Sequence, residues 1–578
     1  MGKIVITELK TIRRRFEYLI SIHYIYYDPN EPSSSELSEW KMLSATLAVS
    51  HKLSKLLQLQ QLSSMKQVEA VQGFLTKTGL FFTHTSVVAK LVAFASLSPL
   101  GCLVHAQALF EETTMDDPFI CNTMIRAFTN SVFPIKAIHI YNHMQETNVR
   151  SDHFTYNFAL KACARVMKRM EEDEVKACGF VIDRKGSEIH CRVLKLGFDC
   201  DLYVQNSLIF VYSQCGSVEL ARCVFNEMTD RSASSWNIML TAYDQVADFE
   251  SADYLFQSMP EKNVVSWNTL LARHVRLSNI EAAKIVFREM PVTNSVSWNS
   301  MIAGYVQVRD YDGALKLFRE MQIAEVEATE VTLISILGAC AETGALEIGR
   351  KIHESLNLQH RKIEGYLGVA LVDMYSKCGK LSSAWEVFGE LKMKPVGCWN
   401  AMIVGLGVHG YCNEALELFA AMERQLGEVT PNRITFIGVL IACSRKGLVE
   451  EGRRYFNQMV QEYKIVPDEK HYGCMVDLLS RWGLLEEAFE MIKAVPSGPS
   501  SLLWRTLLGA CRVHGKVELA EQSFQQLAKL EPLRDADYVL LSNIYAEAER
   551  WDDVERLRNE MIFKEVPKTL GFSHVEMK

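Results

Sequence analysis

Apolar residues in this chain recur at helical spacing, in the same short phrase again and again. Ala252, Leu255, Phe256 and Met259 lie at offsets 0, 3, 4 and 7, one face of an α-helix. The offsets return as Ala221, Val224, Phe225, Met228, as Ala283, Val286, Phe287, Met290, and as Ala314, Leu317, Phe318, Met321. Pro260 and Pro291 follow directly on the methionine, where proline ends a helix. Ahead of each phrase runs a second helical stretch, such as WNIMLTAYDQV, which sets Ile238, Leu240 and Tyr243 among small and polar residues. Gly216 in YSQCG and Gly379 in YSKCG stand between the two helices, where glycine tolerates the left-handed turn that closes the first. Each unit is therefore expected to be a pair of antiparallel helices. Such a pair cannot bury its apolar face alone but can do so by stacking on its neighbours.

The phrase is a true repeat. SSWN, VSWN and VSWN place Trp236, Trp267 and Trp298 31 residues apart, and Asn237, Asn268 and Asn299 likewise. Periods of this length mean a solenoid, so the expected fold is all-α, a right-handed α-solenoid of antiparallel helix pairs. Units Leu202–Ser232, Ala233–Asn263 and Val264–Asn294 have 31 residues; Pro118–Asp152 and Ser295–Thr329 have 35. A third kind, starting at His153 and Glu330, lacks the Trp-Asn pair and carries Ala-Cys instead. The order 35-residue unit, Ala-Cys unit, 31-residue unit recurs from Val396 through Arg433 to Glu469. Residues 51–500 are read as an array of about twelve such units, residues 501–578 as a weaker C-terminal extension, and residues 1–50 as a leader without repeats. The Ala-Cys unit His153–Asp201 is too long, and its Lys- and Glu-rich excess near 167–186 reads as a surface loop.

Composition changes this picture little. The 48% hydrophobic and 23% charged residues are ordinary for a folded domain. A net charge of -8 does not advertise a nucleic-acid binder, although one face of a solenoid can carry its own field. Fifteen cysteines form no CxxC, and several recur as Ala162-Cys163, Ala339-Cys340, Ala442-Cys443 and Ala510-Cys511. They read as small residues where helices approach closely, in a reducing compartment. Leu91–Phe110 is broken by Ser96, Ser98, Pro99, Gly101 and His105, so it reads as two short buried helices rather than a membrane span. No phosphate loop or nucleophile elbow occurs, and no cofactor or metal is expected. In the leader, Arg13–Arg15 and Ser33–Ser35 suit a transit peptide, whereas Glu8, Glu17, Asp28 and Glu31 suit a solvated polar segment; both readings stay open.

The mixed unit lengths, with WNTLLARHV, YSKCGKLSSAWEVF, GVLIACSRKGLVEEGRRYF and HYGCMVDLLSRWGLLEEAFEMI, resemble the pentatricopeptide repeat family, in its plant organellar subclass of mixed repeats. LWRTLLGACRVHGKVELAE and DYVLLSNIYAEAERWDDVERLR resemble that subclass's C-terminal E extension. The resemblance covers roughly residues 51–578. It implies that each unit reads one base of single-stranded RNA. The fifth residue of the first helix and the last residue of the unit address the base edge, and the second residue packs on the base face. Carried over by position, the reading pairs are Asn122 with Asp152, Asn206 with Ser232, Asn237 with Asn263, Asn268 with Asn294, Asn299 with Thr329, and Asn400 with Asn432. Val265 and Val296 take the stacking role. In the family such pairs favour pyrimidines, with Asp selecting U and Asn selecting C, so a pyrimidine-rich RNA is expected. An amide, with both donor and acceptor, suits a base edge. Asparagine at a helix start also serves as a cap or turn former, but six in one register with polar partners favour reading. Asn157 with Asp201 fits the pattern, whereas Ala89, Ile334, Val369 and Ile437 depart from it.

Family members with a longer C-terminus carry a cytidine-deaminase-like domain that needs HxE and PCxxC to hold zinc. Here His574-Val575-Glu576 has no CxxC after it, and is read as chance. The resemblance thus implies a site-recognition factor, not itself an enzyme, for C-to-U editing of an organellar transcript. A DYW-type deaminase or other editing factor would be recruited in trans through the E region. The expected location is the mitochondrion, with the chloroplast as alternative, and no membrane is involved. Organellar RNA splicing or stabilisation is the alternative role. A tetratricopeptide-like protein scaffold is a further one, although that family keeps a 34-residue period.

Overall fold

The computed structural model describes residues 64–566, apart from 78–80, 82–84, 114–115, 170–171, 426–428, 497 and 565; the side chains of 74 and 169–183 also lie outside the description. The leader 1–50, most of the segment before 65, and His574–Glu576 fall outside the described residues. Among the described residues every regular element is an α-helix, 29 in all. The chain forms two compact units, Met1–Glu261 and Lys262–Lys578, and each is an α-solenoid of antiparallel helix pairs.

In both units the first helices of successive pairs stack on one another, and each second helix packs behind its own first. In the N-terminal unit the first helices Thr85–Leu97, Pro118–Asn130, His153–Arg169, Leu202–Gln214 and Ala233–Gln245 touch in sequence. In the C-terminal unit the row runs from Val264–Arg276 through Ser295–Gln307, Glu330–Thr343, Gly365–Lys377, Val396–Val408, Arg433–Lys446 and Glu469–Arg481 to Ser501–His514 and Asp535–Glu547.

The repeated apolar phrase supplies the core. Ala221, Val224, Phe225, Met228, Ala252, Leu255, Phe256 and Met259 are buried, as are Ala314, Leu317, Phe318 and Met321. Each large side chain so buried contributes about 1.5–3 kcal/mol. The conserved-register tryptophan locks one pair to the next. Trp236 meets Phe225 edge-to-face at 5.0 Å, Trp298 meets Phe287 at 4.9 Å, and Trp399 meets Phe388 at 5.1 Å. Met259 and Met290 leave their helices in extended backbone, with ψ of 124° and 122°, as a residue before proline must. Gly216 and Gly379 have φ of 73° and 75°, the left-handed geometry expected of them. Cys163, Cys340, Cys443 and Cys511 are fully buried, and burial pushes each thiol up to about 12.

The segment 91–110 forms two helices, Thr85–Leu97 and Leu103–Glu111. No helix among the described residues is long and apolar enough to cross a membrane. One expectation is overturned. The excess near 167–186 is not a loop: helices His153–Arg169 and Glu172–Leu196 cover it except at 170–171. Lysine, glutamate and alanine there are good helix formers, and no proline interrupts them. High charge there did not mean the absence of regular structure.

Candidate nucleic-acid interface

Position 1 denotes the first residue of a first helix. The last residue of the preceding unit is then its N-cap, and that geometry builds the site. Thr329 caps Glu330–Thr343, Asn294 caps Ser295–Gln307 and Asn432 caps Arg433–Lys446. Each accepts the backbone N–H of position 3, and the hydroxyl at position 3 returns the bond to the cap's own N–H. This reciprocal box satisfies donors that a helix start otherwise leaves open. The boundary residues are thus the helix caps, whereas the position-5 asparagines Asn122, Asn299 and Asn400 lie inside helices capped by Asp117, Asn294 and Pro395.

The asparagine at position 5 of the preceding first helix joins each box. Asn122 Nδ2 donates to Asp152 Oδ1 at 2.9 Å, Asn299 Nδ2 to Thr329 Oγ1 at 2.9 Å, and Asn400 Nδ2 to Asn432 Oδ1 at 3.1 Å. Asn268 Nδ2 reaches Asn294 Oδ1 at 3.3 Å. In return, hydroxyls at position 3 of the next helix donate to the asparagine Oδ1: Thr155 to Asn122 at 2.7 Å, Ser297 to Asn268 at 2.7 Å, and Thr435 to Asn400 at 2.6 Å. Thr332 does the same to Asn299. Four of the six expected pairs are thus brought into direct contact.

The pair Asn206 with Ser232 is not brought together in this way. Asn206 Oδ1 is buried without a partner, and Ser232 bonds Ser235 at 3.0 Å instead. Asn237 belongs to the N-terminal unit and Asn263 to the C-terminal one. Asn263 caps Val264–Arg276 through Ser266 N–H at 3.0 Å. Asn157, in the first Ala-Cys unit, accepts from Ser207 at 2.6 Å, while Asp201 caps Tyr203 and Val204.

Burial divides the labour within a node. Asn122 and Asn400 are only 8% and 6% exposed, whereas their partners Asp152 and Asn432 are half-exposed. The partner therefore offers more of the accessible polar edge at these two nodes. Asp152 uses Oδ1 in the node and keeps Oδ2 as an acceptor; Asn294 and Asn432 use Oδ1 and keep their amide nitrogen as a donor.

Position 2 lies one turn from position 5 on the same helix face. Val265 and Val296 are 58% and 54% exposed there. The register extends further than those two valines. Phe119, Phe154 and Tyr203 stand exposed at position 2 in the N-terminal unit, and Val331, Tyr366 and Ile434 in the C-terminal unit. Their signal was present in the unit numbering, and only the Trp-Asn units drew attention to it. Phe154, Asn157 and Tyr203 also line a cleft of about 400 Å³ with Arg126 and Lys161. Desolvation, followed by the charges of Arg126 and Arg165, holds the Lys161 ammonium below its ordinary value. This marks a basic patch within an acidic chain. Among the described residues no group of His, Cys, Asp and Glu could hold a metal ion.

The comparisons with known proteins agree with this architecture. Matches described as PPR repeat cover residues 119–149, 206–232, 234–264, 265–292, 369–396, 397–425, 434–463 and 470–496. A match to the PPR repeat family covers 293–342 and an E motif covers 514–576. The chain is 47% identical over 513 residues to pentatricopeptide repeat-containing protein At4g18840 of Arabidopsis thaliana, spanning 88% of this chain and 91% of that protein. It is 42% identical over 523 residues to At5g15300 of the same plant, spanning 89% and 92%. A relative named as chloroplastic, At2g02980, is 33% identical over 90% of this chain and 74% of its own. Among solved structures, the pentatricopeptide repeat protein PPR10 in complex with an 18-nt psaJ RNA element shares the fold, with a TM-score of 0.50 at 15% identity over 86% of this chain and 84% of that one. The fold and its nodes define a helical-repeat protein of the kind that presents one face of stacked first helices. The chain belongs to the pentatricopeptide repeat family and carries an E motif.

Proposed function

We propose that this protein is a sequence-specific adaptor for single-stranded RNA that reads one base per reading unit. The observation that carries the reading is the recurring node of asparagine amide and polar cap in one register, joined at Asn122, Asn268 and Asn299 by an exposed apolar residue one turn away. The apolar residue offers a stacking surface of the kind that stabilises about 1–3 kcal/mol per base. The polar edge left over by each node suggests what is read. An asparagine N–H beside a free carboxylate oxygen, as at Asn122 and Asp152, pairs donor and acceptor with the O2 or O4 and the N3–H of uracil. Two donors, as at Asn268 with Asn294 and Asn400 with Asn432, match the N3 and O2 acceptors of cytosine. Asn299 with Thr329 offers a weaker, mixed edge. Asn206 with Ser232 and Asn237 with Asn263 take the same roles by register. A pyrimidine-rich target follows.

The E motif favours C-to-U editing of an organellar transcript over splicing or stabilisation, with residues 501–578 recruiting a DYW-type deaminase or other editing factor in trans. On this reading the chain supplies recognition and the partner supplies the chemistry. Residues 1–50 would act as the address to the mitochondrion, or to the chloroplast as in the relative named for it. The test is selection of a fully random single-stranded RNA pool by the full chain. Enrichment of a pyrimidine-rich tract is expected, and a pool left unenriched in sequence would sink the proposal. Comparing organellar cDNA with genomic sequence in a plant lacking the protein tests the editing role: one or more sites should revert to C, and full editing at every site would exclude it.

A further inference from the structure

The hydroxyl at position 3 recurs wherever a position-5 asparagine is held in a closed node, and helix capping alone does not require it to reach that far. Thr435 shows the arrangement. Its Oγ1 accepts the N–H of Asn432 at 2.9 Å. A hydroxyl has a single proton to give, and here it can go to Asn400 Oδ1 at 2.6 Å or to Asn432 Oδ1 at 3.3 Å. The shorter bond takes it. Asn400 Oδ1 is thereby pinned inward, and Nδ2 must place one hydrogen on Asn432 Oδ1 and keep the other. Turning the amide over would set its oxygen against Asn432 Oδ1, an acceptor already engaged by two backbone N–H groups at 3.0 and 3.3 Å. Thr155 and Ser297 hold Asn122 and Asn268 in the same way.

We infer that these position-3 hydroxyls, Thr155, Ser297, Thr332 and Thr435, are specificity-determining positioning residues that fix which edge of the preceding asparagine amide faces the RNA. The inference rests on the RNA-reading function proposed above. The Asn206 node supplies the internal contrast. There the Ser235 hydroxyl is engaged with Ser232, and the Asn206 Oδ1 has no partner. An amide without that latch can present either edge, so the Asn206 unit discriminates less between bases than the latched ones.

The test uses the full chain and its variants on one fully random single-stranded RNA pool, with base frequencies read at every position. Asn400→Ala identifies the nucleotide read by its node by flattening the preference there. Thr435→Val, which keeps the shape and removes the hydroxyl, should reduce discrimination at that same nucleotide from about tenfold to about twofold. Preferences elsewhere should be unchanged, and Thr435→Ser should retain the wild-type ratio. A merely structural role for Thr435 predicts something else: a uniform loss of affinity with the base ratio intact. That result would overturn the inference while leaving the reading function standing. If Asn400→Ala changes no base ratio, the reading function itself is wrong and the inference falls with it. Should Thr435→Val unfold, Ser297→Ala at the Asn268 node decides by the same readout.

Discussion

Asn400 and Arg505 hold the same place in their helices, position 5, and both bond to position 3 of the next first helix. Asn400 meets Thr435 in a small node of dipoles that retains a donor for an outside partner. Arg505 meets Asp537 through two bonds of 2.8 Å, Nε to Oδ1 and Nη2 to Oδ2, and reaches Glu531 at 2.6 Å as well. The first is a socket and the second is a clasp. The bidentate pair ties up both carboxylate oxygens, and Glu531 and Ser501 take further guanidinium donors, so the polar groups are spent mainly on one another. The helix-pair scaffold passes from array to C-terminal extension without a break in kind, since Trp504 packs on Phe489 at 5.4 Å much as Trp399 packs on Phe388. What changes across that boundary is the polar chemistry at two positions per pair. On the proposed reading, a repeat can keep its architecture while ceasing to read.

The largest expected effects test what the two regions share. Trp399→Ala and Trp504→Ala should each cost about 3–5 kcal/mol in thermal unfolding, because both indoles are almost fully buried between pairs. A much smaller loss at one of them would show that the scaffold differs after all. Next comes the clasp. Asp537→Ala should destabilise the C-terminal pairs by about 1.5–3 kcal/mol, since it removes the bidentate partner of a half-buried guanidinium that keeps only Glu531 and Ser501. RNA base preference should not move, and a changed preference would mean that the clasp takes part in reading. Asn400→Ala should do the reverse, weakening binding to the matched RNA by about 1–3 kcal/mol with little change in unfolding temperature.

The clasp also has an acid signature that the Asn400 node lacks. Burial raises the Asp537 carboxyl, but the bonds and charge of Arg505 and the Arg534 backbone outweigh it and hold the group below its ordinary value. A carboxylate depressed in the folded state lends stability above its unfolded value, about 3.9, and loses it as pH falls through the lower native value. Acid titration should therefore destabilise the wild-type chain more than Asp537→Asn over that window. The smallest effect separates the position-2 residues. Tyr366→Ala should lower RNA affinity a few-fold, about 1 kcal/mol, whereas Leu502→Ala, also exposed but beside the clasp, should leave it unchanged. A drop at Leu502 would extend the reading face into the E region.

Much of this was legible in the chain before any coordinates. Trp236, Trp267 and Trp298 with their asparagines announced the period, and the Ala-Leu-Phe-Met phrase announced the second helices. Family resemblance pointed to the pairs Asn122 with Asp152 and Asn400 with Asn432, which are in contact. Other features were hidden for physical reasons. The charged stretch near 167–186 looked like a loop because lysine and glutamate serve both solvated loops and solvated helices. Ser297 and Thr435 were not singled out, because the bond that distinguishes them goes to a residue about thirty positions upstream. Arg505 and Asp537, 32 residues apart, carried no sign in the sequence that they would meet.

The amino-acid sequence by itself determined the element type, the repeat length and the face each helix buries, because these depend on periodicity and on local backbone preference. It also determined which positions carry amides. Tertiary structure alone decided which amides are latched and which, like Asn206, are left open, and where a dipolar node gives way to an ion pair. Those outcomes depend on hydrogen bonds a few tenths of an ångström in tolerance between consecutive pairs, and only stacking of one pair on the next brings the partners within that range.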